Sequence, residues 1–150
     1  MNPHRPAPGR RNGFTFVEVM IAASISGVAA SAAYPSIAGA MHKARRSEAL
    51  VAMTQLQIAQ ERWRTNAGRY ATLEELGLPS TLPGGRYRIS VSEPTADGYQ
   101  AVAQAAGAQA ADRSCRYFRL AQDAGSTVYS SGESDIASND ALANRQCWKL

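Results

Sequence analysis

The chain has 150 residues, 45% hydrophobic and 19% charged, which suits one modest domain with an N-terminal appendage. Its net charge of +4 is unevenly spread: Arg5, Arg10 and Arg11 place +3 on residues 1–13, and 13 basic side chains face 12 acidic ones in the remainder. The basic isoelectric point is therefore largely a property of the first 13 residues and does not argue for nucleic-acid binding.

Residues 1–13 (MNPHRPAPGRRNG) hold three prolines and two glycines and are predicted to be unstructured. Residues 14–34 form an apolar run with a single charge, Glu18. As a helix this run spans about 30 Å, one hydrocarbon core. A secretory signal needs only about 7–15 apolar residues and has no use for an acid among them. A plain membrane anchor leaves Glu18 in lipid at a cost of roughly 2.5–3.5 kcal/mol. A cut after Gly13 resolves the difficulty. It makes Phe14 a new N-terminus whose α-amine, of pKa about 7.7–8.0, can meet Glu18 of a neighbouring copy. Pairing two charges in an apolar setting rewards one axial register.

Gly13-Phe14-Thr15-Phe16-Val17-Glu18, behind a basic leader and ahead of an apolar run, resembles the type IV prepilin cleavage and methylation motif. The resemblance implies that a prepilin peptidase cuts between Gly13 and Phe14 and N-methylates Phe14, and that Glu18 sets the assembly register. It also implies a chain held in the inner membrane with its C-terminal domain in the periplasm. From there an inner-membrane assembly platform would move it into a helical filament of pilin subunits at the cell surface.

Beyond the apolar run come the basic residues Lys43, Arg45 and Arg46, then apolar positions Leu50, Met53, Leu56 and Trp63 at helical spacing. Asn66-Ala67-Gly68 supplies a stop. The economical reading is one helix over about residues 15–66. Pro35 removes a backbone hydrogen bond inside it and Gly27 weakens it, so the stretch between them is expected to kink or loosen. Small residues crowd the region 22–33 and allow close approach of helices. The basic cluster either sits at the outer-leaflet headgroups or is a solvated helix face.

In the globular part, Thr72 and Glu75 form a capping-box pattern and Gly77 a stop, which predicts a short helix. Alternation predicts strands over 87–92, 99–103 and 115–120, and a fourth over 127–129. Hairpin-length connections imply an antiparallel sheet that packs one face on the helix. Residues 130–144 read as polar and irregular. Cys115 and Cys147 are the only cysteines. They pair if the domain lies in an oxidising compartment, and otherwise stay as buried thiols. Type IV pilins have a disulfide-closed C-terminal loop, and Cys147-Trp148 after these strands resembles the PilE-type minor pilins. The expected architecture is α+β: a type IV pilin fold with a long N-terminal helix on a small antiparallel sheet of three to four strands and a disulfide-closed C-terminal loop. The expected organisation is a leader (1–13), a long helix (14–68, of which 14–34 is the transmembrane or filament-core part) and a globular head (69–150).

No catalytic constellation is visible. His4 and His42 are the only histidines and neither lies in the head, so an enzyme and a bound cofactor are not expected. Glu133, Asp135, Asn139 and Asp140 offer oxygen atoms to Ca²⁺ without the spacing of an EF-hand, so a solvated loop is the expected reading and no metal site is assigned. Arg116, Arg119, Arg145 and Lys149, with Tyr117 or Trp148 for stacking, form a candidate DNA patch against a background of scattered solvated charges. Three functions compete. The first is a minor structural subunit of a type IV pilus, serving pilus biogenesis, twitching motility or adhesion. The others are a type II secretion pseudopilin and a DNA-binding uptake pilin for natural transformation.

Overall fold

A computed structural model describes residues 13–134 and 138–149, apart from the side chains at 32, 33 and 35. Residues 1–12 of the leader, Asp135 and the Pro35 ring that is expected to kink the helix lie outside the described residues. The chain divides into two compact units, Met1–Ala38 and Gly39–Leu150. Helix α1 (Phe16–Ala67) contributes to both.

In the first unit α1 is apolar on every side. Phe16, Val17, Val19, Met20, Ile21, Ile25 and Val28 are each more than half exposed. A helix that is hydrophobic all round needs lipid or other helices to cover it. Three of its serines carry no unmet polar group into such a setting: the hydroxyls of Ser24, Ser26 and Ser31 donate to the carbonyls of Met20, Ala22 and Val28, each at 2.8 Å. Gly27 has open space where a Cβ would stand, so packing within the chain does not require glycine there. Among the described residues no single helix is long and apolar enough to cross a membrane, whereas Phe16–Ser31 and Ser36–Ala67 taken together meet the requirement by length and composition.

In the second unit α1 packs through Ala49, Met53 and Leu56, with Gln60 completing the stripe; all four are buried. The stripe is turned by about one residue from the predicted one, because Leu50 and Trp63 are only partly covered. Gln60 escapes a hydrophobicity reading because it is polar. Its amide donates to the Ala71 carbonyl at 2.7 Å and accepts from the Ala71 N–H at 2.8 Å, closing a buried loop onto the helix. Gln60→Leu would leave both backbone groups of Ala71 unpaired and should lower stability by about 2 kcal/mol, read as a fall in denaturant midpoint at constant slope.

Four antiparallel strands stand in the order β1 (Tyr87–Ser92), β2 (Gly98–Ala105), β3 (Tyr117–Asp123) and β4 (Ser126–Gly132). Alternation puts Tyr87 and Ile89, then Ala101, Ala103 and Ala105, then Phe118 and Leu120 in the core. The register sets small against large: Ile89 faces Ala103, which faces Phe118. The alanines of β2 leave room for the aromatic side chains on the flanking strands. Tyr87, Phe118, Trp148 and Tyr129 form a chain of edge-to-face rings with centroids 4.9–6.2 Å apart.

The connection from α1 to β1 differs from expectation. The Thr72–Glu75 capping box forms, with the Thr72 N–H donating to Glu75 at 2.8 Å and the Glu75 N–H to Thr72 Oγ1 at 3.3 Å. It starts only one turn and not a helix, because Gly77 turns the chain at positive φ two residues before Pro79. The segment then runs along the outer edge of β1, where Ile89 N–H donates to Ser80 and Leu82 N–H to Tyr87. Arg69 holds Glu75 through two hydrogen bonds and, with the Thr72 N–H, keeps its carboxyl at about 2, below the usual 4.5. A depressed folded-state value means that this stabilisation is complete above the usual carboxylate range and is lost as pH falls from about 4.5 towards 2. The side chain is partly exposed, so the effect is small. Acid titration of stability should show a shallower loss in that window for Glu75→Gln than for the parent chain.

Two 3₁₀ segments, Gly107–Ala111 and Arg113–Cys115, occupy the predicted turn between β2 and β3. The C-terminal stretch that reads as irregular ends in a helix, α2 (Ala141–Trp148). Its N-cap is Asp140, which accepts from the Ala143 N–H at 2.8 Å.

Candidate assembly motif and charged poles of the head

At the start of α1, Thr15 is the N-cap and Glu18 the third helical residue. The Thr15 N–H donates to Glu18 Oε2 at 2.9 Å, and the Glu18 N–H donates to Thr15 Oγ1 at 3.3 Å. The Thr15 hydroxyl also donates to the same Oε2 at 3.1 Å. This is a complete capping box, whose Thr-x-x-Glu signal is present in the sequence. Glu18 Oε1 takes no part in it. Gly13 and Phe14 precede the box and are exposed, Phe14 at 86%.

At the other end of the chain a disulfide joins Cys115, at the close of the second 3₁₀ segment, to Cys147 in the last turn of α2, with Cα atoms 5.6 Å apart. It holds α2 along β4. Asn144 donates to the Tyr129 carbonyl and Trp148 Nε1 to the Ser130 carbonyl, both at 2.9 Å. The Asn139 N–H donates to the Ser131 carbonyl. The edge of the sheet is thereby partly capped by side chains.

The residues that offered oxygen atoms to Ca²⁺ have other partners. Asp140 caps α2, Asn139 donates to Ser114 and Ser131, and Glu133 faces Arg113 at 3.7 Å; Asp135 lies outside the described residues. Among the described residues no group of three or more His, Cys, Asp or Glu side chains is placed to hold a metal ion.

Charges in the second unit separate along the strands. One pole gathers residues 42–46 of α1, both 3₁₀ segments, and the start of β1 and of β3. Here Arg46 clasps Asp112 through two bonds of 2.7 and 2.8 Å, with little of either side chain exposed. Gln109 fills the space beside them, donating to Tyr87 Oη and to the His42 carbonyl. Burial pushes the Tyr87 hydroxyl up to about 12. Arg86 pairs with Glu48 at 2.9 Å. Lys43 and Arg113 stand exposed at this pole. The opposite pole, beyond the end of α1 and the β1–β2 and β3–β4 turns, carries exposed Glu74, Glu93, Asp97 and Asp123.

The predicted DNA patch is only partly assembled. The disulfide brings the last turn of α2 beside Ser114, and Arg145 and Lys149 are exposed there. Arg116 turns back to the Ala110 carbonyl at 2.8 Å. Arg119 lies on β3 opposite Val102 and Ser130. Trp148 is buried in the ring cluster and is not available to stack on a base. Tyr117 is half-buried and accepts from Gln104 at 2.8 Å. Arg113 was not singled out by sequence, although it joins the same region.

A family model described as "Type IV minor pilin ComP, DNA uptake sequence receptor" matches residues 35–119, and the prokaryotic N-terminal methylation motif matches residues 8–34. The chain is 31% identical over 90 residues to the type II secretion system core protein G of Pectobacterium carotovorum subsp. carotovorum; the match covers 60% of the chain and 57% of that protein. It is 30% identical over 103 residues to the protein of the same name from Klebsiella pneumoniae, covering 61% of the chain and 74% of the relative. The corresponding Aeromonas hydrophila protein is 28% identical over 103 residues, covering 61% and 72%.

Proposed function

Because the chain belongs to the type IV minor pilin family, we propose that it is a structural subunit of a type IV pilus, without catalytic activity of its own. In this reading a prepilin peptidase removes residues 1–13 and methylates Phe14. The subunit waits in the inner membrane with its head in the periplasm, and an assembly platform then moves it into a filament of other pilins at the cell surface. The observation that carries the reading is the first unit: an apolar helix exposed on every side, opened by a capped acid directly after Gly13-Phe14. Lipid covers such a helix before assembly, and the helices of other subunits cover it afterwards.

Mass spectrometry of the protein from sheared pili should find a mature chain beginning at N-methylated Phe14, and Gly13→Val should leave the leader in place and the chain out of the pili. Absence from pili together with impaired protein secretion would overturn the pilus reading in favour of a secretion pseudopilus, the assembly named for its secretion-system relatives.

The description of the matched family supports a second reading, a receptor for DNA taken up in transformation. Exposed Arg113, Arg145 and Lys149 beside the disulfide supply cations for phosphate. With the base-stacking Trp148 buried, binding would rest mainly on phosphate contacts and fall steeply with salt. A gel-shift series across salt concentrations tests it, and no shift at low salt removes it.

A further inference from the structure

We propose that the pole of the head holding residues 42–46 and the two 3₁₀ segments is a docking surface for anionic phospholipid headgroups, which holds the unassembled subunit's head down on the membrane that anchors it. The inference rests on the membrane-anchored state in the proposed function and adds a partner for the head.

The first argument is the state of the charges at this pole. Three of its acids are answered by cations of the chain, Asp112 by two bonds from Arg46, Glu48 by Arg86 and Glu133 by Arg113, while exposed Asp140, next to Asn139 on Ser114, caps α2. Lys43 and Arg45 make no hydrogen bond or ion pair among the described residues, whereas the exposed Arg113 is offset by Glu133 at 3.7 Å. The cations at this surface therefore exceed what the chain itself neutralises. The second argument is polarity. Exposed Glu74, Glu93, Asp97 and Asp123 occupy the far pole; of the cations near it Arg69 is engaged by Glu75 and Arg64 by Tyr70, and exposed Arg62 offsets only part of this negative charge. An anionic surface attracts one end of such a head and repels the other, so a single orientation is favoured.

The third argument is position along the chain. Lys43 follows Tyr34, the last residue of the apolar run, by nine residues, about 13 Å of helix. Headgroups occupy roughly the first 5–8 Å outside the hydrocarbon, and screening extends a further 8–10 Å or so. Lys43 and Arg45 thus fall within reach of lipid phosphates whenever residues 14–34 are in the bilayer. Cations on this side run against the positive-inside rule, and contact with anionic headgroups offsets that disadvantage. Duplex DNA presents the same phosphate chemistry, but nine residues of chain tether Lys43 to the apolar run, which keeps the leaflet's phosphates at a high local concentration.

The test uses the full chain in nanodiscs of phosphatidylcholine alone or of phosphatidylcholine mixed equally with phosphatidylglycerol, with amide hydrogen exchange as readout. Phosphatidylglycerol should slow exchange in residues 42–46 and 107–115 and leave residues 93–98 unchanged, and high salt should abolish the difference. Each charge removed in Lys43→Gln, Arg45→Gln and Arg113→Gln should weaken the effect about fivefold. Equal exchange in both kinds of disc, with the chain inserted in each, overturns the lipid surface alone. Failure to insert in either disc overturns both it and the membrane-anchored state. Protection of the same residues by added duplex DNA, but not by phosphatidylglycerol, assigns the pole to nucleic acid and also overturns the lipid surface.

Discussion

Glu18→Gln is expected to exclude the subunit from filaments almost as completely as Glu18→Ala, while Thr15→Ala is expected to lower incorporation only modestly. The three variants separate two tasks that meet at one carboxylate. Within the chain Glu18 closes the capping box with Thr15. Losing a cap costs about 1 kcal/mol, which frays the first turn without dissolving a helix. Glutamine keeps an acceptor for the Thr15 N–H and so preserves most of this local role. It cannot neutralise the α-amine that cleavage at Gly13 creates in a neighbouring copy. An unpaired charge kept in an apolar filament core forfeits several kcal/mol, enough to reduce incorporation by two orders of magnitude or more. The box itself favours the second task, because its bonds use Oε2 and leave Oε1 outside it. Immunoblots of sheared pili against whole cells measure the outcome. If Glu18→Gln entered filaments as well as the parent chain, the charge pairing would be refuted and Glu18 would be reduced to a helix cap.

Much of this was legible in the sequence, for physical reasons that differ from element to element. The part of α1 in the second unit and β1 follow from periodicity, because both bury one side of a regular element, while the first part of α1 follows from its apolar run. The Cys115–Cys147 pair needed the compartment as a premise, and the structure supplies the geometry. The elements missed are those whose stability comes from polar contacts. Gln60 looks like a surface residue, yet it is buried because a single amide satisfies both backbone groups of Ala71. Helix α2 has a weakly apolar sequence, and its position comes from the disulfide and from Asn144 and Trp148 reaching the carbonyls of β4. The helix expected after Thr72 fails in the opposite way: its cap is present, but Gly77 ends it before a second turn. The candidate DNA patch joins residues close in sequence to the cysteines. Folding turns Arg116 inward and buries Trp148, while adding Arg113. Proximity along the chain locates a region but does not say which side chains face outward.

Cys147→Ser should destabilise the head by about 4 kcal/mol and lower its melting temperature by more than 10 °C. The bond spans 32 positions, and the loss of that constraint on the unfolded chain alone contributes about 3.7 kcal/mol in the chain-entropy model. Few other links tie α2 to the sheet. Its cap at Asp140 is internal to the helix, and what remains among the described residues are the bonds of Asn144 to the Tyr129 carbonyl and the Ser131 hydroxyl, the Trp148 bond to Ser130, and the packing of Trp148 against Phe118 and Tyr129. Once α2 is released, the carbonyls of Tyr129 and Ser130 lose their partners and part of the β4 edge opens next to exposed Val128. An open edge with an apolar side chain invites pairing between copies. The variant should therefore show aggregation as well as a lower melting temperature. Reduction of the parent chain under denaturing conditions, followed by refolding with the thiols blocked, should reproduce both effects. Trp148→Phe keeps the disulfide and the ring cluster but removes the Nε1 donor to Ser130, so it should cost only about 1 kcal/mol. A Cys147→Ser head that melts within a few degrees of the parent would mean that α2 is held by its side-chain contacts and not by the covalent bond.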